Sequence, residues 1–309
     1  MRIRIGSRGS ELALWQAEHI AGQLREVGHE VSIEVIRTTG DRLQGISFNA
    51  VGTKGMFTKE IEEALDGERV DLAVHSLKDL PTELHPAFAL AALPRRADPR
   101  DAFVSEGFES FAALPAGARV GTSSLRRQSQ LRAHRRDLEY IEFRGNVDTR
   151  LRKMMSGEAE ACVLACAGLD RLGRTALLRE RLPAEVVCPA AGQGALAIEV
   201  RAGDTAMLEA LRFLDDVETR FAVTAERGAL GALGGGCQVP IGIFCERHVR
   251  GSRAEREDHW VITGAVSLPG GEAAVRVALE HRTEEEPRLL GLQLAEELLR
   301  QGAGALLTG

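Results

Sequence analysis

The chain opens on alternating apolar and polar positions, Met1-Arg2-Ile3-Arg4-Ile5-Gly6, the period of a half-buried strand. A turn carrying hydroxyls and an arginine follows, Ser7-Arg8-Gly9-Ser10, and Leu12-Ala13-Leu14-Trp15-Gln16-Ala17 then changes to helical spacing. The plan returns near residue 120. Ala118-Arg119-Val120-Gly121 reads as a strand, Thr122-Ser123-Ser124 as a turn, and Leu125-Arg126-Arg127-Gln128 as a helix start. A second echo follows each copy. Residues 58–67 form an amphipathic helix ending in Gly67-Glu68 before an apolar strand at 71–74, and residues 149–157 form another ending in Gly157-Glu158 before a strand at 161–164. The repeat predicts two similar α/β domains, each with a mostly parallel sheet.

The last third breaks this rhythm. Residues 216–233 are helical and stop at Gly234-Gly235-Gly236. A strand at 239–245 follows, then a hairpin of 260–268 and 273–280 around Pro269-Gly270-Gly271, then a helix at 289–300. This predicts a small α+β C-terminal domain with an antiparallel sheet. The expected boundaries are 1–95 with 195–213 for the first domain, 100–190 for the second and 216–309 for the third. A chain of 309 residues exceeds what one core usually organises, in keeping with several domains.

Composition narrows the class. The chain is 44% hydrophobic and 27% charged, which reads as soluble and globular, and no apolar run approaches the ~20 residues of a membrane helix. The N-terminus lacks the apolar stretch of a signal peptide, so the cytoplasm is the expected compartment, and a monomer without membrane partners is the expected state. A net charge of −6 argues against a general nucleic-acid binder. Within that acidic whole, Arg126, Arg127, Arg132, Arg135, Arg136, Arg144, Arg150 and Arg152 form a basic block suited to a small anionic ligand. The five cysteines have neither a disulfide framework nor zinc spacing; Cys162 and Cys166 read as buried thiols, and no metal site is expected.

Several groups could do chemistry. Ser10 and Ser124 start helices beside Arg8 and Arg126, where free N–H groups and the positive dipole end favour anions; as single residues they read equally as N-caps. Val74-His75-Ser76-Leu77-Lys78-Asp79 lies at a strand C-terminus, where α/β proteins bind ligands. Lys78 would keep the Asp79 carboxylate ionised, although Asp79 could merely cap the turn before Pro81, and His75 reads as a satisfied core histidine. Gly52-Thr53-Lys54-Gly55-Met56-Phe57 fails the Walker pattern and reads as a hinged loop, a candidate lid. Cys237 follows three glycines, a setting for a displayed thiol or for a passive turn.

Together these segments resemble the porphobilinogen deaminases (hydroxymethylbilane synthases). The resemblance rests on residues 7–17, Ala73-Val74-His75-Ser76-Leu77-Lys78-Asp79, Gly121-Thr122-Ser123-Ser124-Leu125-Arg126-Arg127-Gln128, Arg144-Gly145-Asn146-Val147 with Thr149-Arg150-Leu151, Ala191-Gly192-Gln193-Gly194-Ala195, and Gly235-Gly236-Cys237-Gln238-Val239-Pro240. It implies two domains like periplasmic binding proteins and a third that anchors a dipyrromethane cofactor by a thioether at Cys237. It implies head-to-tail joining of four porphobilinogens with loss of ammonia, then hydrolytic release of hydroxymethylbilane for haem biosynthesis.

In that reading Asp79 is catalytic: it hydrogen-bonds the pyrrole N–H, stabilises positive charge on an electron-poor azafulvene and shuttles protons. Each ring bears an acetate and a propionate, which charge-assisted bonds would hold. The resemblance implies cofactor contacts at Lys78, Ser76, Ser10, Asp41, Thr122, Ser123, Ser124, Arg126, Arg127, Arg144 and Gly145. It implies substrate contacts at Arg8, Gln16, Lys54, Phe57, Arg150, Arg171 and Gln193. Position 50 departs from the pattern, carrying Ala where the family usually has Lys. A non-enzymatic carboxylate-binding protein would explain the repeat and the arginines but neither Cys237 nor the third domain, and a thiol hydrolase lacks a histidine partner near Cys237.

Overall fold

The computed structural model describes residues 1–39, 58–235, 240–250, 257–282 and 286–308. The described residues form three sheets. The first is built from β1 (Arg2–Ser7), β2 (Glu30–Val35), β3 (Leu72–Ser76), β4 (Phe88–Ala92) and β10 (Leu196–Arg201), in the order β2-β1-β3-β10-β4. The second is built from β5 (Asp101–Val104), β6 (Arg119–Gly121), β7 (Glu139–Ile141), β8 (Ala161–Ala165) and β9 (Leu178–Leu182), in the order β7-β6-β8-β5-β9.

The two orders superimpose: β6 takes the place of β1, β7 of β2, β8 of β3 and β9 of β4. The fourth position breaks the sequence order. β5, the strand after β4, enters the second sheet, and β10 returns to the same place in the first, pairing Ile198 with Val74. The mostly parallel expectation needs one refinement. β10 and β5 run antiparallel to both neighbours, so each sheet has one reversed strand. Two segments, 93–100 and 183–195, therefore connect the sheets.

Helices cover the sheet faces as the patterns require. Helix α1 (Glu11–Glu26) places Ala17, Ile20, Ala21 and Leu24 on Ile3, Ile5, Leu72 and Ile198. The amphipathic helix α2 (Lys59–Asp66) buries Ile61, Ala64 and Leu65. Its counterpart α4 (Val147–Met155) buries Leu151 and Met154 beside Cys162 and Leu164 of β8. Helices α3 (Leu125–His134), α5 (Cys166–Arg171) and α6 (Thr205–Leu211) complete the two layers.

The third sheet is antiparallel, β11 (Ile241–Arg250), β12 (Glu257–Ser267) and β13 (Ala274–Arg282) in that order. It packs under α7 (Val217–Ala232) and α8 (Pro287–Arg300), with a short α9 (Ala303–Thr308) beyond. The two long helices approach closely at Gly291, where a Cβ would lie 2.1 Å from the Ala225 carbonyl oxygen.

One buried acid ties the parts together. Glu226 of α7 accepts from both terminal nitrogens of Arg96 at 2.6 and 3.1 Å, from the Gly192 N–H at 2.7 Å and from the Cys245 N–H at 2.9 Å. Arg96 also donates to the Gln193 carbonyl at 2.8 Å. Both connecting segments and the third sheet thus converge on one carboxylate.

Candidate active site

β3 is buried from Leu72 to His75, and the chain leaves the sheet in a 3-10 turn at Leu77–Asp79. Leu77 anchors that turn in the core, and Asp79 is exposed at its end. Opposite it, β1 ends at the buried Ser7, and the Ser10 hydroxyl caps α1 by accepting from the Ala13 N–H at 3.3 Å. The Gln16 side-chain amide donates to the Ser76 hydroxyl at 3.0 Å, joining α1 to β3. Arg8, Ser10, Gln16, His75, Ser76 and Asp79 line one cavity of about 80 Å³. His75 reaches Glu199 of β10 at 2.9 Å, so it is a partnered buried histidine as its setting predicts.

A larger hollow of about 310 Å³, between His19, Arg95 and Phe213, contains none of the expected site residues. Size is a poor guide here, because the polar groups that could act on a substrate converge on the smaller cavity.

The second sheet supplies the cations. Thr122, Ser123 and Ser124 start α3; Ser124 accepts from the Arg127 N–H at 3.4 Å, and Ser123 donates to the Phe143 carbonyl. Arg126 and Arg127 point inward and are nearly inaccessible. Both meet Asp101, the first residue of β5: Arg126 at 2.8 Å, Arg127 at 2.6 and 2.9 Å. The Gln193 side-chain amide nitrogen donates to Asp101 at 3.0 Å, and Lys78 donates to the Gln193 side-chain oxygen Oε1 at 3.4 Å. A polar chain therefore runs from the Asp79 turn to α3.

Arg150 donates to the Gly145 carbonyl at 2.8 Å, in the electrostatic range of Asp79, Arg127 and Arg144. Gly145 has φ +112°, the left-handed region, and a Cβ there would meet Thr149 at 2.7 Å. Arg144 pairs with Glu142. Arg171 donates to the Gly194 carbonyl at 2.8 Å, beside the connecting segment. Asp41, Lys54, Phe57 and Cys237 lie outside the described residues.

The electrostatics reflect the burial of several cations. Burial pulls Lys78 down to about 8, with Arg127 and Arg126 adding to that effect and Asp79 and Asp101 opposing it. Burial likewise lowers Arg150 and Arg171 to about 10. Burial alone would raise the Asp101 carboxyl, but the two guanidiniums hold it well below the usual carboxylate range. Lys78, Arg126, Arg127 and Arg150 thus crowd around two carboxylates, Asp79 and Asp101. A cluster of this kind suits an anionic ligand.

Sequence reasoning missed Asp101, Glu199 and Glu226. Asp101 and Glu199 belong to strands that are otherwise buried and apolar, Asp101–Val104 and Leu196–Val200. An acid within such a run is the signal that could have found them.

Comparison with known proteins places this geometry. The model of the porphobilinogen deaminase dipyrromethane cofactor binding domain matches residues 3–209, and that of the porphobilinogen deaminase C-terminal domain matches residues 220–300. The chain belongs to the porphobilinogen deaminase family. The porphobilinogen deaminase of Roseiflexus sp. strain RS-1 is 48% identical over 307 residues, covering 99% of this chain and 98% of that protein. The porphobilinogen deaminase of Brevibacillus brevis strain 47 is 44% identical over 306 residues, covering 98% and 96%. Among solved structures, a putative methionine-binding lipoprotein from Bacillus subtilis overlaps 71% of this chain and 92% of its own, at 14% identity and a TM-score of 0.43.

Proposed function

We propose that this member of the deaminase family joins porphobilinogens head to tail with loss of ammonia, with Asp79 as its catalytic acid and hydroxymethylbilane as its product. The observation that supports this reading is the cationic cluster around an exposed carboxylate at a strand end. Porphobilinogen carries two carboxylates and a pyrrole N–H, and the site offers groups for both.

Asp79 stands at the open end of its turn, able to accept a hydrogen bond from a pyrrole N–H. Its negative charge stabilises positive charge that develops on the ring as the amine departs. The same carboxyl group can give a proton to the leaving nitrogen and take one from the ring carbon after coupling. Ser10, Gln16 and Ser76 border the cavity and orient a ring there, and Arg8 and Arg150 suit its carboxylates.

The residues fit a dipyrromethane, the family's cofactor. Two linked pyrroles bring four carboxylates, which the cluster's guanidiniums and ammonium suit. Lys78, Ser123, Ser124, Arg126, Arg127 and Arg144 would hold it, and Cys237 would bear it as a thioether. When bound, the cofactor supplies the free pyrrole end from which the chain grows. Lys54 and Phe57 belong to this reading as substrate contacts, and Asp41 as a cofactor contact.

The reading extends to organisation. Residues 1–95 with 195–213, 100–190 and 216–309 act as three domains, and the protein works as a cytoplasmic monomer. Among the described residues no helix is long and apolar enough to cross a membrane. The direct test is consumption of porphobilinogen with release of a hydroxymethylbilane that cyclises to a porphyrin. Intact mass should exceed the sequence mass by one dipyrrole, and Cys237→Ser should remove the increment. No consumption by protein bearing that increment would overturn the reading.

A further inference from the structure

Two of the arginines expected to grip ligand carboxylates already share a carboxylate within the protein. Asp101 is fully buried at the start of β5, immediately after the first connecting segment. It accepts from Arg126 at 2.8 Å and from Arg127 at 2.9 Å through Nε. Arg126 is further tied to the Cys188 carbonyl at 2.7 Å, and Arg127 to the Val163 carbonyl at 3.1 Å. Each guanidinium is thus held by two acceptors at once, which fixes the direction of its remaining donors.

Asp101 also reaches the opposite sheet. The Gln193 amide nitrogen donates to it at 3.0 Å and to the Pro99 carbonyl at 2.7 Å, so the amide can turn in only one sense. Its oxygen is thereby left to face Lys78 at 3.4 Å. Asp101 and Gln193 lie beside or on the two connecting segments, while Arg126 and Arg127 belong to the second sheet's layer and Lys78 to the first.

We propose that Asp101 is a positioning residue of this site: its carboxylate holds Arg126 and Arg127 in one orientation and, through Gln193, sets how Lys78 faces ligand carboxylates. The inference rests on the deaminase reading of the site. It assigns Asp101 no contact with substrate. A buried carboxylate between two arginines could serve folding alone; the link through Gln193 to a cation on the other sheet is what a folding role does not require. Among the described residues, the charged groups that act on Lys78 include Asp79 on its own turn, Arg126 and Arg127 on α3, and Asp101 on β5. Removing the Asp101 charge takes away one of the carboxylates that oppose the effect of burial on Lys78.

The chain has only four lysines, Lys54, Lys59, Lys78 and Lys153, so protein labelled with 13C at lysine Cε gives a spectrum that Lys78→Arg assigns. Burial pulls the wild-type Lys78 down to about 8. In Asp101→Asn its midpoint should fall by about half a unit or more. KM for porphobilinogen should rise about tenfold with a smaller change in kcat, since ground-state binding is what is lost. Asp101→Glu should restore part of both. Gln193→Leu, which leaves the arginine pairs intact, should also lower the Lys78 midpoint, and it serves if Asp101→Asn does not fold. An unmoved Lys78 midpoint in the folded variants overturns the proposal. Failure of the wild type to consume porphobilinogen would instead overturn the deaminase reading and leave the lysine titration as an independent result.

Discussion

Arg96 and Glu226 form a two-pronged ion pair, 2.6 and 3.1 Å, between a connecting segment and helix α7. Glu226 is fully buried and Arg96 nearly so. Breaking such a pair from one side leaves an uncompensated charge, at a cost of ~3–5 kcal/mol. Arg96→Leu should therefore lower the unfolding midpoint strongly in urea. Glu226→Leu should be at least as harmful, because the Gly192 and Cys245 N–H groups would lose their acceptor too. The double variant should not recover wild-type stability. Recovery would mean that the two backbone bonds contribute nothing.

Asp79 is exposed, so its replacement should leave the fold unharmed. Asp79→Asn keeps the shape and removes the charge and the transferable proton. Turnover of porphobilinogen should fall by ~10²-fold or more, the usual worth of positioned acid–base catalysis, with an unchanged melting temperature. Near-normal turnover would remove Asp79 from the catalytic role.

Lys78 gives a pH signature of opposite sense to a stabilising salt bridge. Its folded value of about 8 lies below the ordinary 10.5. The unfolded chain therefore holds this proton where the folded chain has lost it, and stability rises with pH between about 8 and 10.5. Below pH 8 the folded state bears the full penalty of a desolvated ammonium. Lys78→Met should stabilise the ligand-free protein at pH 7 by about 1–2 kcal/mol, less than ~1.4 kcal/mol per pKa unit implies because the residue is only half-buried. The gain should vanish above pH 10.5, and porphobilinogen binding should suffer. Denaturant titrations at pH 7 and 10.5 check the sign.

The thiols separate the anchored from the free. Cys162, Cys166, Cys188 and Cys245 are buried. Burial pushes the first three up to about 12 and raises Cys245 as well. At pH 8 the native protein should resist iodoacetamide at these four. In denaturant all four should react, and Cys237 should stay unlabelled if it carries a thioether. Five additions to the denatured wild type would contradict the anchor.

Much of this was legible beforehand because it follows from local pattern. The strand–turn–helix repeat at Ile3 and Val120 reports two sheets, since alternation and helical spacing are set by which face is buried. Gly270-Gly271 marks the tip of the last hairpin, although β11 and β12 run further than the pattern suggested, to Arg250 and from Glu257. The exchange of β5 and β10 was only partly legible. Nothing in Asp101–Val104 says which sheet it joins, because every position of that strand is buried and both sheets have a matching slot. Arg126 and Arg127 were read as ligand contacts from their place in the family motif at 121–128. Asp101 itself is marked by being an acid in an apolar run, but its pairing with them is not, because a contact across 25 residues leaves no periodic trace.

The exchanged strands also bear on how the protein is made. β10 sits between β3 and β4, so the first sheet lacks an interior strand until residue 201 has been synthesised. By then all of the second sheet's strands have been synthesised. The usual order, in which an N-terminal domain folds before its successor is translated, is therefore closed to a complete first sheet. Its last strand is made after every strand of the second.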